Sequence, residues 1–455
     1  MTTAIRPLPG PTREYHFPAF TRRKLDNGID LIIAPVRKLP VVSVLAVVDA
    51  TALDDVEGKE GTAELTAQGL KEGTVVRDGA RLALDLEKLG TSLETGADWD
   101  SSVASVTVLR DKLDEAFGIF AEVLMSPAFR AEDIERLKAE RLAERMQILA
   151  EPRGLADESF ARFVYAGGSR YAEPMSGSSK SVSSITRSDV AAFYQRNYVP
   201  EATTIILAGD ISVDEGARLV ESGLSGWNGG RSRATRPADK PARSSQAVEI
   251  IAKSDAAQSE LRIGHVGVPR SHPDYFKIVV MNSILGGLFS SRINLNLREA
   301  HGYTYGASSY YDWRRQAGPF VISTAVQSEV TGEAIAETLR EVDRMQAELI
   351  AEDELTLATS YLEGVFPIRY ETTSAIASAL ASLVTFDLPE DYYDRYRANI
   401  RSVTTEDVLD AAKKHVKRDE LQVTVVGDAD IVRLPVEGLQ IGPLSVREPG
   451  EEPER

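Results

Sequence analysis

The chain has 455 residues, 43% of them hydrophobic and 27% charged, with a net charge of −17. This is globular composition with enough apolar residues for a sizeable core, and its acidity argues against the clustered Lys and Arg that neutralise phosphates, so no nucleic-acid partner is expected. Cysteine is absent, which excludes disulfides, thiolate zinc sites and thiol nucleophiles.

In chain order, Met1 to Phe20 carries Pro7, Pro9, Pro11 and Pro18 and no apolar run of signal-peptide type. No stretch approaches about 18 uninterrupted apolar residues, so no transmembrane segment is expected. A cytoplasmic location follows as the expectation, or a periplasmic one if a leader has been removed. Asn27-Gly28 is a hairpin turn signal ahead of two β-branched runs, Asp30–Ala34 and Val41–Val48. Leu113, Phe117, Phe120 and Leu124 recur at helical spacing, as do Ile335, Leu339, Val342 and Met345 much later.

The pattern repeats. Ser184-Ile185-Thr186-Arg187-Ser188-Asp189-Val190 returns as Ser402-Val403-Thr404-Thr405-Glu406-Asp407-Val408, and Ala208-Gly209-Asp210 returns as Val426-Gly427-Asp428, both at an offset of 218 residues. Ala131-Glu132-Asp133 is echoed by Ala351-Glu352-Asp353 at an offset of 220. A shared offset marks an internal duplication. Each copy closes with a helix capped by Thr186 or Thr404 and a short strand, Thr204–Ala208 or Gln422–Val426. The expected organisation is a first repeat over 20–228, a Gly/Arg/Ser/Ala/Pro-rich linker over 229–246, a second repeat over 247–440 and a tail over 441–455, charged and frayed from Arg447 to Arg455. The fold class is α+β: two similar tandem domains, each a mainly antiparallel sheet with helices packed on one face.

Two segments carry the chemistry. In the first copy, Gly61-Thr62-Ala63-Glu64-Leu65-Thr66-Ala67-Gln68 is followed by Gly73-Thr74, and Glu144 stands eight residues before Pro152. In the second, Gly286-Gly287 precedes Ser291-Arg292-Ile293, Leu297-Arg298-Glu299 and Gly302-Tyr303-Thr304-Tyr305. The glycine pair lacks the Lys-Ser/Thr of a phosphate loop. With the repeat and its linker, these segments resemble the pitrilysin/insulinase family of zinc peptidases (inverzincins), from about Phe20 to Val432.

That resemblance implies where a zinc site should lie. The family carries H-x-x-E-H on a first-copy helix: two His one turn apart grip zinc and a Glu activates its water. Alignment on Gly73-Thr74 puts Glu64 and Gln68 at the two His positions and Ala67 at the general base. Glu144 matches the third ligand. Ala67 has no proton acceptor and Gln68 is a neutral, weak ligand, so no hydrolytic zinc is expected in this chain. Oxygen donors on Glu64, Gln68 and Glu144 leave open a hard cation, with a polar, metal-free pocket as the favoured reading. The five histidines, His16, His265, His272, His301 and His415, never stand four apart, and each reads first as a packed or surface residue.

The same resemblance assigns Arg298 and Tyr305 a reach across to a zinc site, where a guanidinium and a phenol can hold a substrate carbonyl or oxyanion. Taken alone, Arg298 reads as a helix-end charge or a partner of Glu299, and Tyr305 as core packing in a strand rich in tyrosine. The implied function is a non-catalytic subunit of a heterodimeric zinc metallo-endopeptidase, inactive alone. It would have no cofactor of its own, a zinc-binding homologous subunit as partner and a peptide as substrate. The alternative is a scaffold or peptide-binding subunit of a larger complex.

Overall fold

The computed structural model describes residues 14–230, 239–254 and 256–450. Most of the proline-rich N-terminal stretch, residues 231–238 of the expected linker and residues 451–455 of the expected tail lie outside the described residues.

Twelve strands among the described residues form two six-stranded sheets. The first holds β1 (Thr21–Lys24), β2 (Asp30–Pro35), β3 (Val41–Val48), β4 (Glu94–Ala97), β5 (Ser102–Leu109) and β6 (Thr203–Gly209), in the order β1-β2-β6-β3-β5-β4. The second holds β7 (Ala247–Ala252), β8 (Gln258–Val266), β9 (Ala307–Tyr311), β10 (Pro319–Gln327), β11 (Gln422–Gly427) and β12 (Leu444–Arg447), in the order β12-β7-β11-β8-β10-β9. The pairs β2–β6, β7–β11 and β7–β12 are parallel and the other seven are antiparallel. This is the expected two-domain α+β fold.

Local chemistry sets the elements. Gly28 turns β1 into β2 at φ 95°, a conformation open to glycine at no steric cost. The closing helices Arg187–Asn197 and Thr405–His415 each open on a capping box, Thr186 with Asp189 and Thr404 with Asp407, which satisfies amides the helix start leaves unpaired. Each then feeds the central strand β6 or β11.

The reason for the continuous apolar run in β3 lies in its two faces. Val42, Val44, Ala46 and Val48 join one core with Leu113, Phe117 and Val220 of their own repeat. Leu45 and Val47 point the other way, with Ile32, Ala34, Ile206 and Ala208, and pack with Ile376, Leu380 and Leu383. Those last three belong to the helix Thr373–Thr385 of the second repeat, which lies on β3 and β6. Reciprocally, the helix Pro152–Val164 of the first repeat lies on β8 and β11. Leu155 and Ala156 meet Ile251 and Val426 there. Each sheet is therefore covered on one face by its own helices, as expected, and on the other by a helix of the opposite repeat. Sheets buried on both faces read as unbroken hydrophobic runs.

Polar links accompany the exchange. Arg262, 1% exposed, donates to Asp157 at 2.5 Å and to Glu260 at 2.8 Å. The hydroxyls of Ser43 and Thr373 lie 2.8 Å apart. Gly264 permits the close seating: a Cβ there would stand 2.9 Å from Phe160 Cζ and 1.9 Å from the Phe320 carbonyl oxygen.

Two details differ from expectation. The expected tail begins with a strand: Leu444 to Arg447 form β12, parallel to β7, and Arg447 donates to buried Glu249 at 2.8 Å. The stretch Tyr275–Ala300 is long and apolar enough for a membrane span by composition. Ile278, Met281, Leu285, Ile293 and Leu297 bury it in the second core, and the helix is interrupted over 288–291.

Candidate functional site

The helix Thr62–Gly69 starts at Gly61, whose φ of 99° and 2.5 Å approach of any Cβ to the Ser176 carbonyl oxygen require glycine. Asp55 caps it, accepting from the Gly61 and Ala63 amides at 2.8 Å each and from Arg170 at 3.1 Å. Burial pushes the Asp55 carboxyl up to about 6, against the pull of Arg170 and the two amides. This anchor sets the rotation of the helix and so the direction of Glu64 and Gln68, one turn apart on the same face.

Those side chains meet each other. Gln68 donates through Nε2 to Glu64 Oε1 at 3.0 Å, and the Ala97 amide of edge strand β4 donates to Glu64 Oε2 at 3.1 Å. Into the same place comes Arg141 from the helix Ala131–Ala150. Its guanidinium lies 3.2 Å from Glu64 and 2.9 Å from Glu144. Ala67 is fully buried and offers no proton acceptor. The structure thus gathers Glu64, Gln68 and Glu144 around a fixed side-chain cation. These residues do not fit zinc: both Glu64 oxygens are already engaged, and a divalent ion between Glu64 and Glu144 would face the permanent like charge of Arg141. Arg141 went unnoticed in the sequence, although Arg141-x-x-Glu144 spacing on a helix was a signal for a paired charge.

The second segment is built differently. Residues Arg292–Asn294 and Leu295–Ala300 form a helix that widens to π-type over its second half, a form frequent at functional sites. Gly302, at φ 69°, ends it: its amide closes on the Arg298 carbonyl at 3.2 Å and that of Tyr303 on Leu297 at 2.9 Å. Asn294 fixes the following loop, accepting from the Ala307 amide at 3.0 Å and donating to the Phe289 carbonyl at 2.6 Å.

Arg298 stacks over the Phe289 ring, 4.5 Å from its centroid, with Glu299 at 3.6 Å. Its buried Nη1 has no hydrogen-bond partner among the described residues. Tyr305 does not start a strand as expected: it stands in the loop two residues before β9 and is 92% exposed. That exposure removes the core-packing reading. Tyr305 and Phe289 line one open hollow of about 350 Å³ with Gly286, Gly287, Leu288 and Asn294. Phe289 thus carries the Arg298 guanidinium on its ring and shares the hollow with the exposed Tyr305 phenol; a guanidinium and a phenol can each donate to a carbonyl or carboxylate oxygen.

His265 is buried in β8, with Nδ1 donating to the Val266 carbonyl at 2.9 Å and Nε2 accepting from the Lys417 amide at 3.0 Å. Burial holds this neutral ring down to about 4. It is the packed histidine the sequence reading expected.

A family model described as Insulinase (Peptidase family M16) matches residues 36–172, and one described as Peptidase M16 inactive domain matches residues 184–362. The chain is 22% identical over 365 residues to an uncharacterized zinc protease of Streptomyces coelicolor, covering 79% of each. It is 22% identical to YmxG of Helicobacter pylori, a non-peptidase homolog, over 81% of this chain and 84% of that one. Among solved structures, the crystal structure of a peptidase M16 inactive domain from Pseudomonas fluorescens superposes with a TM-score of 0.84 at 26% identity, covering 90% of this chain and 98% of that one.

Proposed function

Because the chain belongs to the insulinase-type peptidase family M16 and lacks that family's zinc-binding motif, we propose that it is the non-catalytic subunit of a heterodimeric zinc metallo-endopeptidase. The partner carries H-x-x-E-H and the zinc. This chain contributes Arg298 and Tyr305, which donate hydrogen bonds to the carbonyl of a bound peptide and strengthen them as that oxygen gains negative charge. Phe289 orients Arg298 by stacking beneath it.

One observation carries this reading: Tyr305 stands exposed in its loop and a buried guanidinium nitrogen of Arg298 has no hydrogen-bond partner among the described residues, while Glu64 of the first repeat is held in an ion pair with Arg141. The relatives named as zinc proteases and the one named as a non-peptidase homolog are both consistent with a division of labour between paired subunits.

The test is capture of this chain from its own cell extract, with mass spectrometry and zinc analysis of what accompanies it. A stoichiometric partner with H-x-x-E-H and chelator-sensitive peptidase activity of the pair is the expected result. Recovery of this chain alone, or with partners lacking a zinc motif, transfers the assignment to the scaffold reading.

A further inference from the structure

We propose that His272, Asp274 and His415 form a second-repeat binding site for a divalent transition-metal ion, with zinc the ion their donors suit best. The site is separate from the closed Glu64 pocket and does not rest on the peptidase reading. One potential ligand atom on each of the three residues lies within 4.8 Å of the others. His415 Nε2 is 2.8 Å from Asp274 Oδ2, and the His272 and His415 rings meet edge to face with centroids 4.8 Å apart.

Two imidazoles and one carboxylate are a recurrent zinc donor set. Bonds of about 2.0–2.1 Å in tetrahedral array put donor atoms roughly 3.3 Å apart. The separations here bracket that value, so small side-chain rotations complete the geometry.

The local fold directs these groups together. Asp274 stands at the N-cap of the helix Tyr275–Asn282 yet makes no side-chain cap bond. An aspartate there ordinarily accepts a first-turn amide; this one turns its carboxylate to His415 instead. His415 ends the helix Thr405–His415, is 8% exposed, and has its carbonyl pinned by the Tyr311 hydroxyl at 2.9 Å. His272 is half-buried in the preceding turn and gives the cluster its opening to solvent. Its Nδ1 accepts the Asp274 amide at 3.1 Å. Coordination through that nitrogen gives up one hydrogen bond, about 1 kcal/mol, which is small beside the affinity of zinc for such ligands. A His415–Asp274 bond alone is an ordinary part-buried pair; the His272 ring beside it supplies the third donor that makes it a site. The sequence conceals it because Asp274 and His415 are 141 positions apart.

A bound ion would tie the closing helix to the turn that begins the Tyr275–Ala300 segment, and binding to the folded state alone raises its stability by mass action. The experiment is titration of the tag-free, chelator-treated full chain with zinc by calorimetry, with melting temperature followed in parallel. One equivalent should bind with an affinity on the order of micromolar or tighter and raise the melting temperature. His272→Ala should weaken binding about 100-fold or more while leaving the metal-free melting temperature close to wild type. Asp274→Asn is the second ligand variant, and the Glu64→Gln/Glu144→Gln pair should bind zinc as wild type does. No binding by the wild-type chain, binding indifferent to both His272→Ala and Asp274→Asn, or binding lost only in the Glu64/Glu144 variant each overturns the proposal.

Discussion

Arg141 reaches Glu64 from a neighbouring helix at 3.2 Å and stands where a metal ion would have to sit. The same guanidinium holds Glu144 at 2.9 Å. A cation tethered to the backbone cannot exchange with solution, so it offsets part of the charge of the two carboxylates whatever ions are present. Loss of the catalytic motif is therefore more than a matter of missing histidines.

This predicts how an attempt to restore the motif will behave. The triple substitution Glu64→His, Ala67→Glu and Gln68→His rebuilds H-x-x-E-H in composition. With Arg141 in place it should retain no stoichiometric zinc after gel filtration. Adding Arg141→Leu should bring uptake to about one zinc per chain, as structural and catalytic zinc sites with His and Glu ligands hold. Elemental analysis of the two variants decides the point.

Removing Arg141 alone tests its structural weight. Glu64 is mostly buried and would keep only Gln68 and the Ala97 amide. Arg141→Ala should lower stability by about 1–3 kcal/mol in urea unfolding, the usual penalty for leaving a buried charged group short of a partner. Arg141→Lys should recover only part of that, since an ammonium cannot span both carboxylates as a planar fork does.

Arg298 and Tyr305 should separate stability from activity. Tyr305→Ala touches no core and should change stability by less than about 0.5 kcal/mol. In the complex with a zinc-bearing subunit, Arg298→Ala should reduce turnover by about 100- to 1,000-fold, the range for loss of one oxyanion donor. Tyr305→Phe should also reduce it, with assembly intact by size-exclusion chromatography. Unchanged turnover in both variants would sink their assignment.

His265 supplies a pH dependence. Its ordinary value is 6.5 and burial lowers it to about 4 in the folded chain. Between those values the unfolded chain binds the extra proton, so its contribution is complete above about 6.5 and is lost as pH falls towards 4. The slope for this one group is about 1.4 kcal/mol per pH unit. Urea melts of His265→Asn between pH 4 and 6.5 should show a slope smaller by about one proton than the wild type.

The exchanged helices predict a large effect from a residue far from either site. Phe160 is buried against Val266 and Val321 of the second sheet. Phe160→Ala should destabilise by about 3–5 kcal/mol. Gly264→Val should also destabilise, by about 1–3 kcal/mol or more, because the added side chain meets Phe160 and the Phe320 carbonyl. In both, fluorescence and circular dichroism should report one coincident transition if the two sheets unfold together.

Local signals made much of the fold legible. Asn27-Gly28, the Thr186 and Thr404 caps and the apolar runs of β2 and β3 act within a few residues, and the shared offset exposed the duplication. The exchange of Pro152–Val164 and Thr373–Thr385 had no such signal, since an apolar helix face does not say which sheet it covers. β12 carries no signal of its own, because a four-residue strand next to a charged end shows its place only once Glu249 is seen beside Arg447. At the candidate site, the lack of histidines at the zinc positions is legible from residue types alone. Arg141 filling their place, the 92% exposure of Tyr305 and the meeting of Asp274 with His415 are tertiary facts.

The crossed helices also bear on how such a chain can arise. A single copy, cut at the linker, would have one sheet face bare and one helix with nothing to cover. Two identical copies could satisfy each other by trading that helix about a twofold axis, as in a domain-swapped dimer. The present chain keeps that trade within one polypeptide, so its halves can differ in sequence, as Glu64 and Gln68 differ from their counterparts, while each still covers the other's sheet.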